Sequence, residues 1–361
     1  MPSAPAARRD ATQATRALPR ILVIDDSAVA RAVIGQLIGE SRRYSVAGAF
    51  AGVAGALAFL AAERVDLILL DIAMPGTDGL TALPDVLAAG RGARIVIVSS
   101  SAADGAAATV QALALGAADT LAKPGGPGED TARFRAALLA KLDRLCPPEG
   151  RDRASPATLA PPANPAIGLR AFDCVAIGAS TGGIHALGML LGALPPSFVV
   201  PIVVTQHLPI SFMPYFAAQL ATLGKRPCDV ATDRMRIRPG RIVVAPGDRH
   251  IRLVALPDGT ASVRLVDEPA ASGCMPSVDP MFASLGQVFG NRGLAIVLSG
   301  MGRDGADGAR TVRDAGGSVV VQDEASSVVW GMPGAVAGLG LADAVLPPAV
   351  IGTLVAASRR P

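Results

Sequence analysis

Lysine, cysteine, histidine and aromatic residues are all scarce in this chain, and each scarcity narrows what it can be. Only three lysines occur, Lys123, Lys141 and Lys225, and the other basic residues are arginines scattered along the sequence. With a net charge of only +3 and no basic stripe interleaved with aromatics, nucleic acid is not an expected partner. The four cysteines, Cys146, Cys174, Cys228 and Cys274, stand far apart with no CxxC pair. That spacing argues against a zinc site and against a disulfide framework, and it suits a reducing cytoplasm. No uninterrupted apolar run reaches the roughly 18 residues of a membrane span, and Arg8, Arg9, Arg16 and Arg20 are not followed by an apolar stretch of signal-peptide length. A cytoplasmic protein without direct membrane insertion is expected.

Half of the residues are apolar and only 3% are aromatic, so Ala, Val, Leu and Ile must build the cores. A length of 361 residues accommodates two domains of roughly 100–200 residues each. Residues 1–19, rich in Ala, Pro and Thr, read as a disordered tail. Over 20–145 five strand-like runs (Ile21–Asp25, Val46–Phe50, Asp66–Asp71, Arg94–Ser99, Asp119–Lys123) alternate with five helix-like ones. This alternation predicts a parallel sheet with helices on both faces, in which function gathers at the C-terminal strand ends. Polar residues stand at those ends: Asp25 and Asp26, then Asp71, Ser99 and Lys123. Three carboxylates converging on one edge repel unless a cation joins them, and an all-oxygen, incomplete shell suits Mg²⁺. Asp71 is then a nucleophile toward phosphoryl groups, with Ser99 and Lys123 placed to bind the added phosphate.

Residues 146–170 carry Pro147, Pro148, Pro156, Pro161, Pro162 and Pro165, which preclude a continuous helix and predict a semi-extended linker. The strand–helix rhythm resumes over 171–358. Its strands are expected at Val175–Ile177, Val199–Gln206, Leu294–Leu298, Ser318–Gln322 and Ala344–Leu346. Between them, Arg241–Ala245, His250–Leu256 and Ala261–Val266 read as an antiparallel insertion, with Asp258-Gly259 as a hairpin turn. Ser180 lies on a glycine-framed strand-to-helix turn, Gly178-Ala-Ser180-Thr-Gly182-Gly183. Such a turn exposes the hydroxyl beside backbone N–H groups, which suits a nucleophile next to an oxyanion site. A phosphate-cradling loop or a plain tight turn fits the same letters. Of the three histidines only His207 follows a parallel strand, which makes it the expected base. Asp304 stands at the same edge as orienter, although a helix N-cap role fits it too and Asp307 competes for the orienting position.

The residues 20–145 resemble a response-regulator receiver domain. The resemblance rests on Asp25-Asp26, the Asp71-Ile-Ala-Met-Pro-Gly-Thr-Asp-Gly79 segment, Ser99 and Lys123-Pro124. It implies that Asp71 is the phosphoacceptor, that Asp25 and Asp26 join it in holding Mg²⁺, and that Ser99 and Lys123 contact the phosphoryl group. One departure stands out: Thr120 occupies the position of the family's usual aromatic switch residue. The second half resembles the catalytic domain of the chemotaxis protein-glutamate methylesterase family (CheB-type). That likeness rests on Gly178–Gly183, Gln206-His-Leu-Pro209, Ala245-Pro-Gly247 with His250, Pro276-Ser-Val-Asp279, Ser299-Gly-Met-Gly-Arg-Asp-Gly305 and Trp330-Gly-Met-Pro333.

The fold implied is two doubly wound α/β domains, a flavodoxin-like receiver and then a Rossmann-like catalytic domain with the hairpin insertion. The chemistry implied is hydrolysis of glutamyl γ-methyl esters, and deamidation of glutamines, on chemoreceptor cytoplasmic helices. Ser180 is the implied nucleophile, His207 the acid–base, Asp304 the orienter and the Met301 N–H an oxyanion donor. Thr181, Gly182 and Pro276–Asp279 line the substrate site, and no cofactor is needed for the ester chemistry. A chemotaxis histidine kinase is the implied phosphodonor. A serine esterase of other substrate, or a non-catalytic phospho-switch, are the competing readings.

Overall fold

A computed structural model of the chain describes residues 18–99, 103–123, 131–147 and 169–358. The tail expected over 1–19 lies outside these residues up to position 17, as do Pro124 and most of the 146–170 linker.

The first sheet contains β1 (Arg20–Ile24), β2 (Ser45–Phe50), β3 (Leu67–Asp71), β4 (Arg94–Ser99) and β5 (Asp119–Ala122). All pairings are parallel, in the order β2-β1-β3-β4-β5. The continuous apolar run of β3 is buried on both faces, as a central strand between two helical layers requires. Those layers are α1 (Ala28–Ser41), α2 (Val53–Ala62), α3 (Gly79–Gly90), α4 (Ala103–Leu115) and α5 (Thr131–Leu145). Helix starts follow their caps: Ser27 accepts from the Ala30 N–H, and Asp78 from the Thr81 N–H at 2.7 Å. The strand order reverses direction around β1 and β3, so the crevice at their C-terminal ends is the natural ligand position.

The second sheet has seven parallel strands. They are β6 (Cys174–Ala179), β7 (Ile202–Gln206), β8 (Cys228–Val230), β9 (Ile242–Val244) and, after a hairpin of β10 (His250–Ala255) and β11 (Ala261–Val266), β12 (Gly293–Val297), β13 (Ser318–Gln322) and β14 (Ala344–Leu346). Their order is β14-β13-β12-β6-β7-β9-β8. This corrects one expectation. The Arg241–Ala245 run is not part of the antiparallel insertion; its Ile242–Val244 portion pairs in parallel with β7 on one side and β8 on the other. Its three side chains are buried, which a main-sheet position demands and a surface hairpin does not. Only β10 and β11 form the insertion, as a separate two-stranded sheet packed on α8 (Val278–Phe289).

The remaining helices are α6 (Gly183–Gly192), α7 (Met213–Gly224), α9 (Ala306–Asp314), α10 (Met332–Gly338) and α11 (Pro348–Ala357). The two sheets are not independent bodies. Helix α4 packs against α6 and α7, and one apolar cluster contains Val110 and Leu113 together with Leu187 and Phe216. Polar ties cross the same boundary. The Ala118 carbonyl accepts from the Gly182 N–H at 3.2 Å, His185 Nδ1 meets the Ala114 carbonyl at 2.9 Å, and Arg94 donates to the Val328 carbonyl at 3.0 Å.

Candidate active site and phosphoacceptor pocket

At the edge of the first sheet, β1 delivers Asp25 and Asp26 and β3 delivers Asp71, with Asp25 and Asp71 buried. One oxygen of each lies within 4.8 Å of the others. Lys123, just past β5, reaches into the group: its Nζ lies 2.7 Å from Asp71 Oδ2 and 2.8 Å from Asp25 Oδ2. The Asp71 contact is a hydrogen bond. The Asp25 contact is an ion pair, and beyond this ammonium the buried Oδ2 has no further partner among the described residues. Burial pulls the Lys123 ammonium down, but its two carboxylate partners outweigh that and raise its pKa. Three carboxylates around one ammonium leave an excess of negative charge, and Asp25 Oδ2 can accept a second partner besides the ammonium. An oxygen-seeking divalent cation answers both, so the residues fit Mg²⁺. Ser99 Oγ lies 3.4 Å from Thr109 Oγ1, with Thr109 buried on α4.

At the second sheet β6 is central, flanked by β7 and β12. The Ser180 turn follows β6, His207 follows β7, and the Ser299–Gly305 turn follows β12. Ser180 is held by its backbone: its N–H donates to the Ser299 carbonyl at 3.0 Å, and its carbonyl accepts from the Gln206 amide and the Gly183 N–H, both at 2.8 Å. Glycine is required around this turn, as two positions show. Gly182 has φ 77°, and a Cβ on it would lie 2.5 Å from Val328 Cβ; one on Gly178 would lie 2.4 Å from Val278 Cγ1. These close approaches are what seat Ser180 between the strand ends.

His207 Nε2 lies 2.8 Å from Asp304 Oδ2. An ionised carboxylate only accepts, so Nε2 carries the hydrogen. The same Oδ2 also accepts from the Val278 N–H at 2.8 Å, and Oδ1 accepts from Ser277 Oγ at 2.6 Å. Burial opposes the charge on Asp304, but these donors overcome it and hold the carboxyl below its ordinary range. Burial likewise disfavours a charged His207, yet the Asp304 bond and the neighbouring Cys274 sulfur raise its pKa to about 9. Asp279 is pushed up, chiefly by burial and also by the Asp304 charge. Asp307, the competing orienter, is an exposed partner of Arg303 at 3.8 Å. His250 is tied to the Glu268 carbonyl and the Ser277 N–H, and His185 to the Ala114 carbonyl.

Ser180, Thr181, Gly182 and His207 line one cavity of about 300 Å³. Among the described residues no hydrogen bond joins Ser180 Oγ to the imidazole, a looseness common before substrate binds. Met301 is exposed, and neither its N–H nor that of Thr181 donates to a protein acceptor among the described residues. The far wall of the cavity belongs to the first domain: Leu113, Ala118, Thr120, Lys141 and Arg144. The Pro276–Asp279 segment, expected beside substrate, braces Asp304 through Ser277 and Val278. Sequence reasoning passed over Cys274 as a neighbour of His207. Nothing local marks it, because the contact joins segments 67 positions apart, the difference between 274 and 207.

Comparison with known proteins gives the same division of labour. The response regulator receiver domain model matches residues 21–135, and the CheB methylesterase model matches residues 175–355. A protein-glutamate methylesterase/protein-glutamine glutaminase of Maricaulis maris is 39% identical over 381 residues, covering 93% of this chain and 94% of that protein. The protein-glutamate methylesterase/protein-glutamine glutaminase 2 of Caulobacter vibrioides is 40% identical over 351 residues, covering 94% and 99%. The CheB methylesterase catalytic domain of Thermotoga maritima, a crystal structure, is 35% identical with a TM-score of 0.49, covering 51% of this chain and 98% of that one. The class is therefore a response regulator whose receiver is followed by an α/β catalytic domain. The chain belongs to the CheB methylesterase family.

Proposed function

We propose that this chain is a phosphorylation-regulated protein-glutamate methylesterase. It hydrolyses glutamyl γ-methyl esters, and deamidates glutamines, on the cytoplasmic helices of methyl-accepting chemoreceptors. The observation that carries the chemistry is the His207–Asp304 hydrogen bond of 2.8 Å beside a cavity that Ser180 lines. The substrate class is that of the relatives' names. Because Nε2 is committed to Asp304, Nδ1 is the nitrogen left to take the Ser180 proton. Oγ attacks the ester carbonyl, and the oxygen that gains charge is met by the unpaired N–H of Met301, with that of Thr181 as a second donor. His207 protonates the departing methoxide, methanol leaves, and water then releases the glutamyl group from Ser180. Asp304 fixes the tautomer and balances the imidazolium charge. Thr181 and Gly182 form the near wall that the substrate side chain meets.

Regulation belongs to residues 20–145, followed by the linker 146–170 and the catalytic residues 171–358. Asp71 accepts a phosphoryl group from a chemotaxis histidine kinase in the cytoplasm. Asp25, Asp26 and Asp71 would hold Mg²⁺, which would supply charge neutralisation at the phosphoryl group. Lys123 then holds the phosphoryl oxygens, and Ser99 turns from Thr109 toward them. The receiver's Leu113, Ala118 and Thr120 stand opposite Ser180 across the cavity, and the Ala118 carbonyl occupies the Gly182 N–H. A methylated receptor helix cannot approach while they remain there. Phosphorylation must therefore favour a state in which this contact opens. With Thr120 at the usual aromatic position, the coupling runs through the α4–α6 and α4–α7 packing.

The substrate assignment is tested by methanol release from a methylated receptor cytoplasmic fragment, set against a small glutamate methyl ester. The receptor fragment is expected to be turned over at least about 10²-fold more efficiently, since remote binding energy raises kcat/KM. Equal efficiency on both would make the chain a general esterase.

A further inference from the structure

The cysteine spacing along the sequence excludes a paired-cysteine zinc motif, but folding assembles a different ligand set. His207, Cys274 and Asp304 each present a ligand atom, and these atoms lie within 4.8 Å of one another. They come from the β7 turn, the segment before α8 and the turn after β12. We propose that these three residues form a Zn²⁺ site whose occupation switches the esterase off. The inhibitory half of this rests on the Ser180–His207–Asp304 reading above; the metal site itself does not.

Imidazole nitrogen, thiolate sulfur and carboxylate oxygen are the donors zinc takes, and three protein ligands with water in the fourth place is a common open arrangement. Charge also closes: a thiolate and a carboxylate neutralise the dication, and the imidazole adds none. The supporting groups are present. Asp304 is anchored by Ser277 Oγ and the Val278 N–H, the Cys274 N–H donates to Ser272 Oγ at 3.3 Å, and the His207 N–H donates to the Ala179 carbonyl at 3.1 Å. Such outer contacts hold metal ligands in orientation. Asp304 is buried while His207 and Cys274 are half-buried, so an ion has a way in.

Geometry then forces competition. His207 Nε2 and Asp304 Oδ2 are 2.8 Å apart. Two such atoms on a tetrahedral zinc, each about 2.0–2.1 Å from the ion, sit about 3.3 Å from each other. The hydrogen bond that orients the base must open for this nitrogen to ligate. If Nδ1 ligates instead, the imidazole loses the lone pair that takes the Ser180 proton. Either way zinc and catalysis exclude each other. Binding forms the Zn–S and Zn–N bonds and releases the Cys274 thiol proton and, where His207 is an imidazolium, one of its ring protons to solvent, so affinity rises with pH.

The experiment uses the full chain in excess Mg²⁺, which occupies the all-oxygen cluster at Asp71. Zinc is titrated against a chromophoric chelator, and Co²⁺ is used as a spectroscopic substitute. The expected result is one zinc per chain, a thiolate-to-Co²⁺ charge-transfer band, and methanol release lost in proportion to occupancy and restored by chelation. Cys274→Ala is expected to weaken zinc binding by about 10²-fold or more and to abolish the band. Cys274→Ser guards against a folding defect and is expected to lose the band as well. Absence of stoichiometric zinc, or binding and a band that survive both substitutions, overturns the site. Stoichiometric binding through Cys274 with methanol release unchanged overturns the switch. Zinc binding in a chain that releases no methanol at all leaves the metal site standing and removes the esterase reading instead.

Discussion

Replacing Asp304 with asparagine is expected to lower the rate of methanol release by about 10³–10⁴-fold, because an amide presents the wrong partner to the imidazole. Asp304 sits almost wholly out of water and makes three hydrogen bonds, to His207, Ser277 and Val278. Its charge is also a main reason His207 stays protonated to about pH 9. A base must be neutral to act, so wild-type kcat/KM is expected to climb from pH 6 and level off near pH 9. In Asp304→Asn the residual activity is expected to level off closer to the ordinary histidine value of 6.5. The stability consequence has a definite sign. A folded-state pKa raised above the unfolded one stabilises the protein fully below pH 6.5 and loses that contribution as pH passes through about 9. A pH–rate profile of both proteins decides the matter. An unchanged inflection in Asp304→Asn would mean that another group governs the base.

Ser180→Ala is expected to remove about 10⁴–10⁶-fold of kcat with no measurable loss of stability. The asymmetry follows from where Ser180 makes its contacts. Its backbone is held by Ser299, Gly183 and Gln206, whereas its hydroxyl makes no hydrogen bond among the described residues. Removing that hydroxyl orphans nothing buried, so the urea midpoint of the variant is expected to match that of the parent. A rate loss accompanied by a large drop in midpoint would point to a structural role for Ser180. Methanol release that persists in a fully folded Ser180→Ala would assign the attack to another group.

What could be read without coordinates, and what could not, divides along a physical line. The strand–helix alternation places polar residues at strand ends, so Asp25, Asp71 and Lys123 of the first sheet, and Ser180 and His207 of the second, were locatable from pattern alone. Asp304 was legible only against Asp307, three positions on; burial and the bond to His207 separate them. Strand β8 was not legible because Cys-Asp-Val is too short to show a period. Helix α10 was hidden by its glycine and proline content, and α11 by its lack of a polar face. Strand β9 was assigned to the wrong sheet because a short apolar run does not say which neighbour it pairs with. Pairing is a tertiary fact, and so are Cys274 beside His207, Ser277 hydrogen-bonded to Asp304 and Ala118 against Gly182.

The direct test of a receiver governing a serine hydrolase is methanol release from methylated receptor fragment by the parent chain, Ser180→Ala and Asp71→Ala, each with and without a small phosphodonor and Mg²⁺. Release that requires Ser180, and that rises with phosphodonor only when Asp71 is present, is the predicted result. Release by the parent that is indifferent to phosphodonor, or a rise that persists in Asp71→Ala, would contradict it.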